Sequence, residues 1–442
     1  MNKKKIGLTS YLGERCLNVS MAATSLLELP DELIIKILDC LDIQCLVRGV
    51  ACTCQRLNQL SNAENLWKKF SDLYWLDKER KHSSDSWKEN FLVWHRKWGK
   101  YIGCYAKVRS AWNKIESALE ARSPGTRSSL KGPIDQGELD AIEAMMDRPL
   151  PLELACSYLI HNGQDVVPGR GSLLGNLEVY DHHSMEVAVP LAFNIKNALP
   201  KIGMLALSWC PYTNYGQVVC VSEKVGLPMG CVYYLTQVRR QKFAGYFVEA
   251  SSYMEWLEKL ATKLGDPELV VSSSKITRFY HEPTCVAVTR DVKVTVATSF
   301  VPSLSHIWKN NNMRTLFAYQ ISMTMDENVP ADRSCRLLSR HWEITDSQGQ
   351  YHEVNGEAVI GLYPVMKPGA KFSYCSWTPL DSDGGFMEGH FTFVNLKTGE
   401  NFDVICPRFN FKCPEIILSS GDIDDELFES EDDVDDEDDD EY

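Results

Sequence analysis

The stretch LPDELIIKILDCLDIQCLVRGVACTCQRLNQLSNAENLW, residues 29–67, carries the densest helical pattern in the chain. Leu33, Ile37, Leu38 and Leu41 recur at helical spacing and form one apolar stripe. Pro30 suits the first helical position, because its fixed φ is already helical and its missing N–H is not needed there. Asp31 and Glu32 place negative charge at the positive end of the helix dipole. Asp42 interrupts the run and can cap a second short helix whose apolar face continues through Leu46 and Val50. A third helix is expected from about Thr53 to Leu60, with Leu57 and Leu60 inward and Arg56 outward, and Leu66-Trp67 closes the unit.

Three helices this short bury little core by themselves. Each of Leu29, Leu33, Ile37, Leu38, Leu41 and Val50 gains about 1.5–3 kcal/mol when fully buried. Offsetting the ~4–15 kcal/mol cost of association therefore takes most of the stripe. Periodicity alone fits a helical hairpin packed on its own downstream domain equally well. The ordered set Leu29, Pro30, Glu32, Leu33, Ile37, Leu38, Leu41, Asp42, Val50, Cys52, Arg56, Leu57, Leu66 and Trp67 resembles the F-box. Ala51 between Val50 and Cys52 departs from the usual order and unsettles the register of the third helix. The resemblance implies docking onto a Skp-family adaptor that links the chain to a cullin scaffold. Leu29, Pro30, Leu33, Ile37, Leu38, Leu41, Val50 and Trp67 are then the adaptor-binding residues.

The chain has 442 residues, enough for several domains, and carries a net charge of −14. Asp422 to Tyr442 holds 15 acids and no Lys or Arg, so elsewhere 45 acids face 46 bases. The body is thus neutral and offers no broad basic field for nucleic acid. Its 15 cysteines are spread out, with no C-x-x-C pair, which reads as free thiols in a reducing cytoplasm or nucleus. Lys3-Lys4-Lys5 is followed by no apolar run of signal length, and no run approaches the ~20 residues of a membrane span.

Around the F-box-like unit (26–72), residues 1–25 show no periodicity and are expected to be a disordered extension, with Met21 a candidate start. Trp87, Phe91, Trp94, Trp98 and Tyr101 follow at steps of 4, 3, 4 and 3, so 73–115 reads as a Trp-rich helical linker whose aromatics are buried. Residues 116–266 hold two helical segments, GELDAIEAMM (137–146) and LELACSYLIH (152–161). Strand-like runs come next at 187–193, 202–209, 217–222 and 231–236, and a helix at 252–264. Glu138, Ile142, Glu143, Leu150, Pro151, Tyr158, Asn162 and Gly163 resemble the SUKH (Smi/Knr-type) superfamily, which implies an α+β interaction module. His161, His182 and His183 have no acid or cysteine at matching spacing, so no metal is expected, and Gly169-Arg170-Gly171 lacks the frame of a phosphate loop.

From 275 to 415 the period changes to two, with Val292, Val294 and Val296, then Phe317, Tyr319, Ile321 and Met323, alternating with their neighbours. Turn signals punctuate the runs, which implies an all-β antiparallel sandwich. Phe300-Val301-Pro302, Arg340-His341-Trp342, VNGEAVIGLYPVMKPGAKFSY (354–374) and GGFMEGHFTF (384–393) resemble the ApaG domain, an immunoglobulin- or fibronectin-like sandwich. Relatives carry a glycine loop thought to touch pyrophosphate; here Gly356, Ala358 and Gly361 stand at its positions. A Cβ at Ala358 narrows the backbone approach such a loop needs, so a structural turn is expected and no cofactor. Residues 416–442 are expected to be a disordered acidic tail, held open by repulsion between neighbouring carboxylates.

The three resemblances in this order imply a non-catalytic substrate-recognition subunit of a Skp–cullin–F-box ubiquitin ligase that presents an unknown protein substrate. No paired Cys/His zinc ligands of a RING are present, and no cysteine has a recognisable thioester-forming neighbourhood. The alternatives are an adaptor-bound scaffold without a degradation target and an ApaG-based ligand sensor.

Overall fold

The computed structural model describes residues 26–79, 86–167, 169–196, 203–222, 227–235, 245–307 and 312–418. The expected extension 1–25 lies outside them, as does the acidic segment 419–442. The chain forms two compact units, 1–102 and 103–442.

In the first unit a 3-10 turn (Leu26–Glu28) leads into α1 (Asp31–Leu38), where Pro30 takes the N-cap. Asp42 caps the next segment as its spacing suggests, its carboxylate accepting the Cys45 N–H at 2.7 Å. That segment is a π-helical turn (Cys45–Gly49) and a 3-10 turn (Val50–Cys52) around the inserted Ala51, and the third helix, α2 (Gln55–Leu60), starts later than expected. α3 (Glu64–Trp75) and α4 (Trp87–Trp98) complete the unit, α4 opening on a Ser86–Glu89 capping box. Phe91 packs edge-on to Trp67 at 5.3 Å and beside Trp75 at 5.4 Å, and the Trp94 indole donates to Asp77 at 2.7 Å. The segment expected as one linker (73–115) is therefore divided. Its first part supplies most of this aromatic core, and its last part, α5 (Tyr105–Arg122), belongs to the second unit.

In the second unit α6 (Pro124–Ser129), α7 (Gln136–Met145) and α8 (Leu152–Tyr158) follow α5. The turn after α8 requires Gly163: φ is +77°, and a Cβ would lie 2.5 Å from the Pro190 nitrogen. The strands are β1 (Asn176–Val179), β2 (His182–Met185), β3 (Val187–Ala188), β4 (Met204–Ala206), β5 (Ser208–Trp209), β6 (Gly216–Cys220), β7 (Val232–Leu235) and β8 (Gly245–Ala250). α9 (Tyr253–Gly265) packs on α5, and the Ser157 hydroxyl receives both the Trp112 indole N–H (2.7 Å) and the Tyr253 hydroxyl (2.6 Å). The run expected as a strand over 187–193 stops at Ala188, because Pro190 cannot donate to a ladder and a 3-10 segment begins at Leu191.

The remaining strands are β9 (Leu269–Ser272), β10 (Lys275–Thr289), β11 (Val292–Phe300), β12 (His306–Ile307), β13 (Met313–Met325), β14 (Cys335–Asp346), β15 (Tyr351–Glu357), β16 (Val365–Met366), β17 (Lys371–Leu380), β18 (Gly384–Asn395), β19 (Asn401–Lys412) and β20 (Glu415–Leu418). The sheet containing β10, β11, β13 and β17 and the sheet β15-β14-β18-β19 enclose Val294, Val296, Phe317, Trp342, Phe391 and Phe409. The α+β part and the sandwich are not separate sheets: β1 pairs in parallel with β10 at Asn176↔Thr277, and β20 pairs with β8. Residues 416–418, expected as tail, thus form an edge strand, because Ile416 packs against the sandwich core and Ile417 against the α+β core. No described helix is long and apolar enough to cross a membrane.

Candidate docking surface

α1 is apolar on two sides. Ile34 and Leu38 are buried at 0% and 1% exposure with Leu46, Leu57, Leu66 and Trp67, whereas Leu33 and Ile37 stay 44% and 43% exposed. Leu33 and Ile37 are four residues apart and share one face. Leu26, Leu27 and Val47 are exposed as well. Arg56 fixes the approach to α1. Its Nη2 donates to Asp31 Oδ1 at 2.6 Å and to the Leu29 carbonyl at 2.9 Å, and its Nη1 donates to the Leu27 carbonyl. The Cys45 amide bonded to Asp42 holds that exposed carboxyl below its ordinary range.

Of the residues assigned to adaptor binding, Pro30, Leu33 and Ile37 are exposed, and Leu29, Leu41 and Val50 are half-buried. Leu38 and Trp67 do not belong to that surface. Leu38 lies one turn after Ile34 and points inward with it, and the Trp67 indole, 4% exposed, donates to the Ser61 carbonyl at 2.8 Å. Leu26, Leu27 and Val47 were not singled out by periodicity, since they lie on turns without a helical repeat. Adjacent leucines just ahead of Pro30 were the available signal.

At the expected glycine-loop positions, Gly356 lies inside β15 against the Arg340 guanidinium, whose Nη1 donates to the carbonyls of Glu357 (2.9 Å) and Ala358 (2.7 Å). Val359 and Leu362 exchange backbone hydrogen bonds at 3.0 and 2.8 Å around Ile360 and Gly361, both at positive φ. The Ala358 N–H is donated to the Leu338 carbonyl. The N–H groups of Ala358, Val359 and Leu362 are thus already engaged around a two-residue hairpin turn.

A second concave feature lies between the α+β part and the sandwich. A cavity of about 450 Å³ is lined by Phe300, Phe317, Phe411, Glu249, Lys263 and Arg278. Beside it Arg278 pairs with Glu186 at 3.5 Å, both at least nine-tenths buried. Glu186 also receives Gln217 Nε2 at 2.9 Å and the Ser208 hydroxyl, and the Trp256 indole donates to Gln217 at 2.6 Å. Local sequence gives no sign of this cluster, whose members come from three strands, a helix and Glu186 between β2 and β3. His161 lies between the Lys131 carbonyl (2.9 Å) and the Glu116 carboxylate (2.6 Å), and among the described residues no three His, Cys, Asp or Glu group as metal ligands.

Three family descriptions match: F-box-like over 26–72, SMI1 / KNR4 family (SUKH-1) over 133–259 and ApaG domain over 307–395. The chain is 32% identical to F-box only protein 3 of Bos taurus, over 91% of this chain and 87% of the relative. It is 24% identical to F-box protein SKIP16 of Arabidopsis thaliana, over 84% of this chain and 94% of the relative. Protein ApaG of Bradyrhizobium sp. (strain ORS 278) is 39% identical over 29% of this chain and 93% of its own length.

Proposed function

This chain belongs to the F-box only protein 3 family, and we propose that it is a substrate-recognition subunit of a Skp–cullin–F-box ubiquitin ligase. The exposed pair Leu33 and Ile37 carries the proposal. The first unit has an aromatic core of its own, yet α1 keeps these two large apolar side chains in solvent within the F-box-like region. An apolar face at i and i+4 is what a partner's groove takes up. On this basis the F-box region docks a Skp-family adaptor and, through it, a cullin. The α+β part and the sandwich hold a protein substrate, in the cytoplasm or nucleus. The chain makes and breaks no bonds itself; tethering raises the effective concentration of substrate lysines beside the conjugating enzyme.

Leu33→Asp with Ile37→Asp is expected to abolish co-purification with the adaptor and cullin while the thermal unfolding of the sandwich is unchanged; retained capture contradicts the proposal. A bound target that accumulates when this chain is depleted separates a receptor from a scaffold. The cavity at Arg278 favours a second reading, a ligand-binding sensor. Under that reading a small ligand filling the cavity raises the thermal midpoint even in the double aspartate variant.

A further inference from the structure

β15 is the terminal strand of its sheet, and no described strand pairs with its outer edge. Seven residues long, it holds an unbroken register with β14 from Ser339↔Glu357 to Thr345↔Tyr351. An edge of this length presents free N–H and C=O groups at every second residue, and folded proteins ordinarily blunt such edges with Pro, Lys or a bulge. YHEVNGE has no Pro or Lys, and its pairing has no bulge.

The two faces of this edge differ in chemistry. Residues paired across an antiparallel ladder share a face. Val354 lies opposite Trp342, which is 2% exposed and in the core, yet Val354 itself is 39% exposed. The core-facing side of the sheet therefore runs past the opposite sheet at β15. In the hairpin that follows, Ile360 and Leu362 are exposed as well, while the Tyr363 hydroxyl donates to Glu357 on the other face at 3.1 Å. Ile360 holds φ +46°, a left-handed conformation that a β-branched residue rarely takes. On the other face Glu353 lies opposite Glu343, and Glu357 follows four residues later. His341 lies near Glu343 and Glu353, while the Arg340 guanidinium is engaged by backbone carbonyls. One face of the open edge thus carries Val354 between His352 and Gly356, and the other carries the acids.

We propose that β15 binds an extended segment of the substrate protein by strand addition, and that this segment alternates apolar with basic residues. The apolar side chains lie beside Val354, and the basic ones face Glu343, Glu353 and Glu357. The proposal rests on the receptor reading for the identity of the occupant as substrate; the edge and its two faces are independent of that reading.

The test uses the full chain and a short fluorescent peptide that alternates valine and lysine. Its comparators are the same peptide N-methylated at every second amide and a valine–glutamate peptide. Saturable binding of the first is expected, with slowed amide exchange in 351–357. N-methylation and the valine–glutamate swap are each expected to weaken binding about tenfold or more. Glu353→Lys with Glu357→Lys, both on the surface, should reverse the preference between the lysine and glutamate peptides. Absence of saturable binding overturns the proposal, as does equal affinity of the N-methylated peptide or an unchanged preference in the double lysine variant. Adaptor capture by the same preparation keeps the two ideas apart. Capture without peptide binding sinks strand addition and spares the receptor reading; peptide binding without capture does the reverse.

Discussion

Glu116 shows how one side chain ties a partly buried region to pH. Burial by itself raises its carboxyl, but the His161 hydrogen bond and the charges of Arg109 and Arg127 outweigh that and hold it below its ordinary value of 4.5. A carboxyl held low in the folded state adds stability that is present above about 4.5 and lost as pH falls through the lower folded value. Glu116→Gln should therefore cost stability at neutral pH and little once both states are protonated. Denaturant midpoints measured from pH 7 down to about pH 3 check this; a loss that is the same at every pH contradicts it. Residue identity also separates neighbours on α1. Ile37 and Leu38 are adjacent and equally apolar, yet one is 43% exposed and the other 1%, because a helix turns each residue about 100° from the last.

Among the elements, β20 is short but touches two cores. Its four residues complete the sheet β20-β8-β7-β6-β4, with Ile416 packed against one core and Ile417 against the other. Ending the chain after Pro414 should lower unfolding stability by about 2 kcal/mol or more, from the lost apolar burial alone. Ending it after Leu418 should leave stability unchanged, since the acidic residues beyond carry no apolar repeat to bury. Chemical denaturation of the two truncations checks the contrast, and equal stability of both would count against a structural role for β20. The hairpin at Ile360 and Gly361 is a second short element whose backbone, not its composition, decides its chemistry: the N–H groups of Val359 and Leu362 close on each other's carbonyls.

Across the molecule, the α+β part and the sandwich hold each other together. β10 pairs with β1, β20 pairs with β8, and Arg278 reaches Glu186. A fragment limited to 116–266 lacks α5's first turns, β20 and Arg278, and leaves Glu186 buried without its cation. It should fail to give a cooperative unfolding transition, whereas 103–418 should unfold in one step. Calorimetry of the two fragments decides this; a cooperative transition in 116–266 would show that the α+β part folds alone.

The helical unit, the α+β part and the sandwich were legible in the sequence because periods of 3.6 and two are local, set by which neighbours along the chain share a face. The alternation of Val292, Val294 and Val296 marks a sandwich strand, and Asp42 marks the cap of the helical segment after α1, without knowledge of distant residues. Which apolar residues face outward was not local: Leu33 and Leu38 carry the same signal until the rest of the unit takes up one and leaves the other in solvent. β20 was hidden for the same reason, since four residues beside an acidic run become a strand only when β8 offers an edge. The Arg278–Glu186 pair and the open edge of β15 likewise exist only in the folded chain. Sequence by itself determined the kind of each part and the order of the parts; tertiary structure alone decided which surfaces remain uncovered, because burial depends on partners far away along the chain.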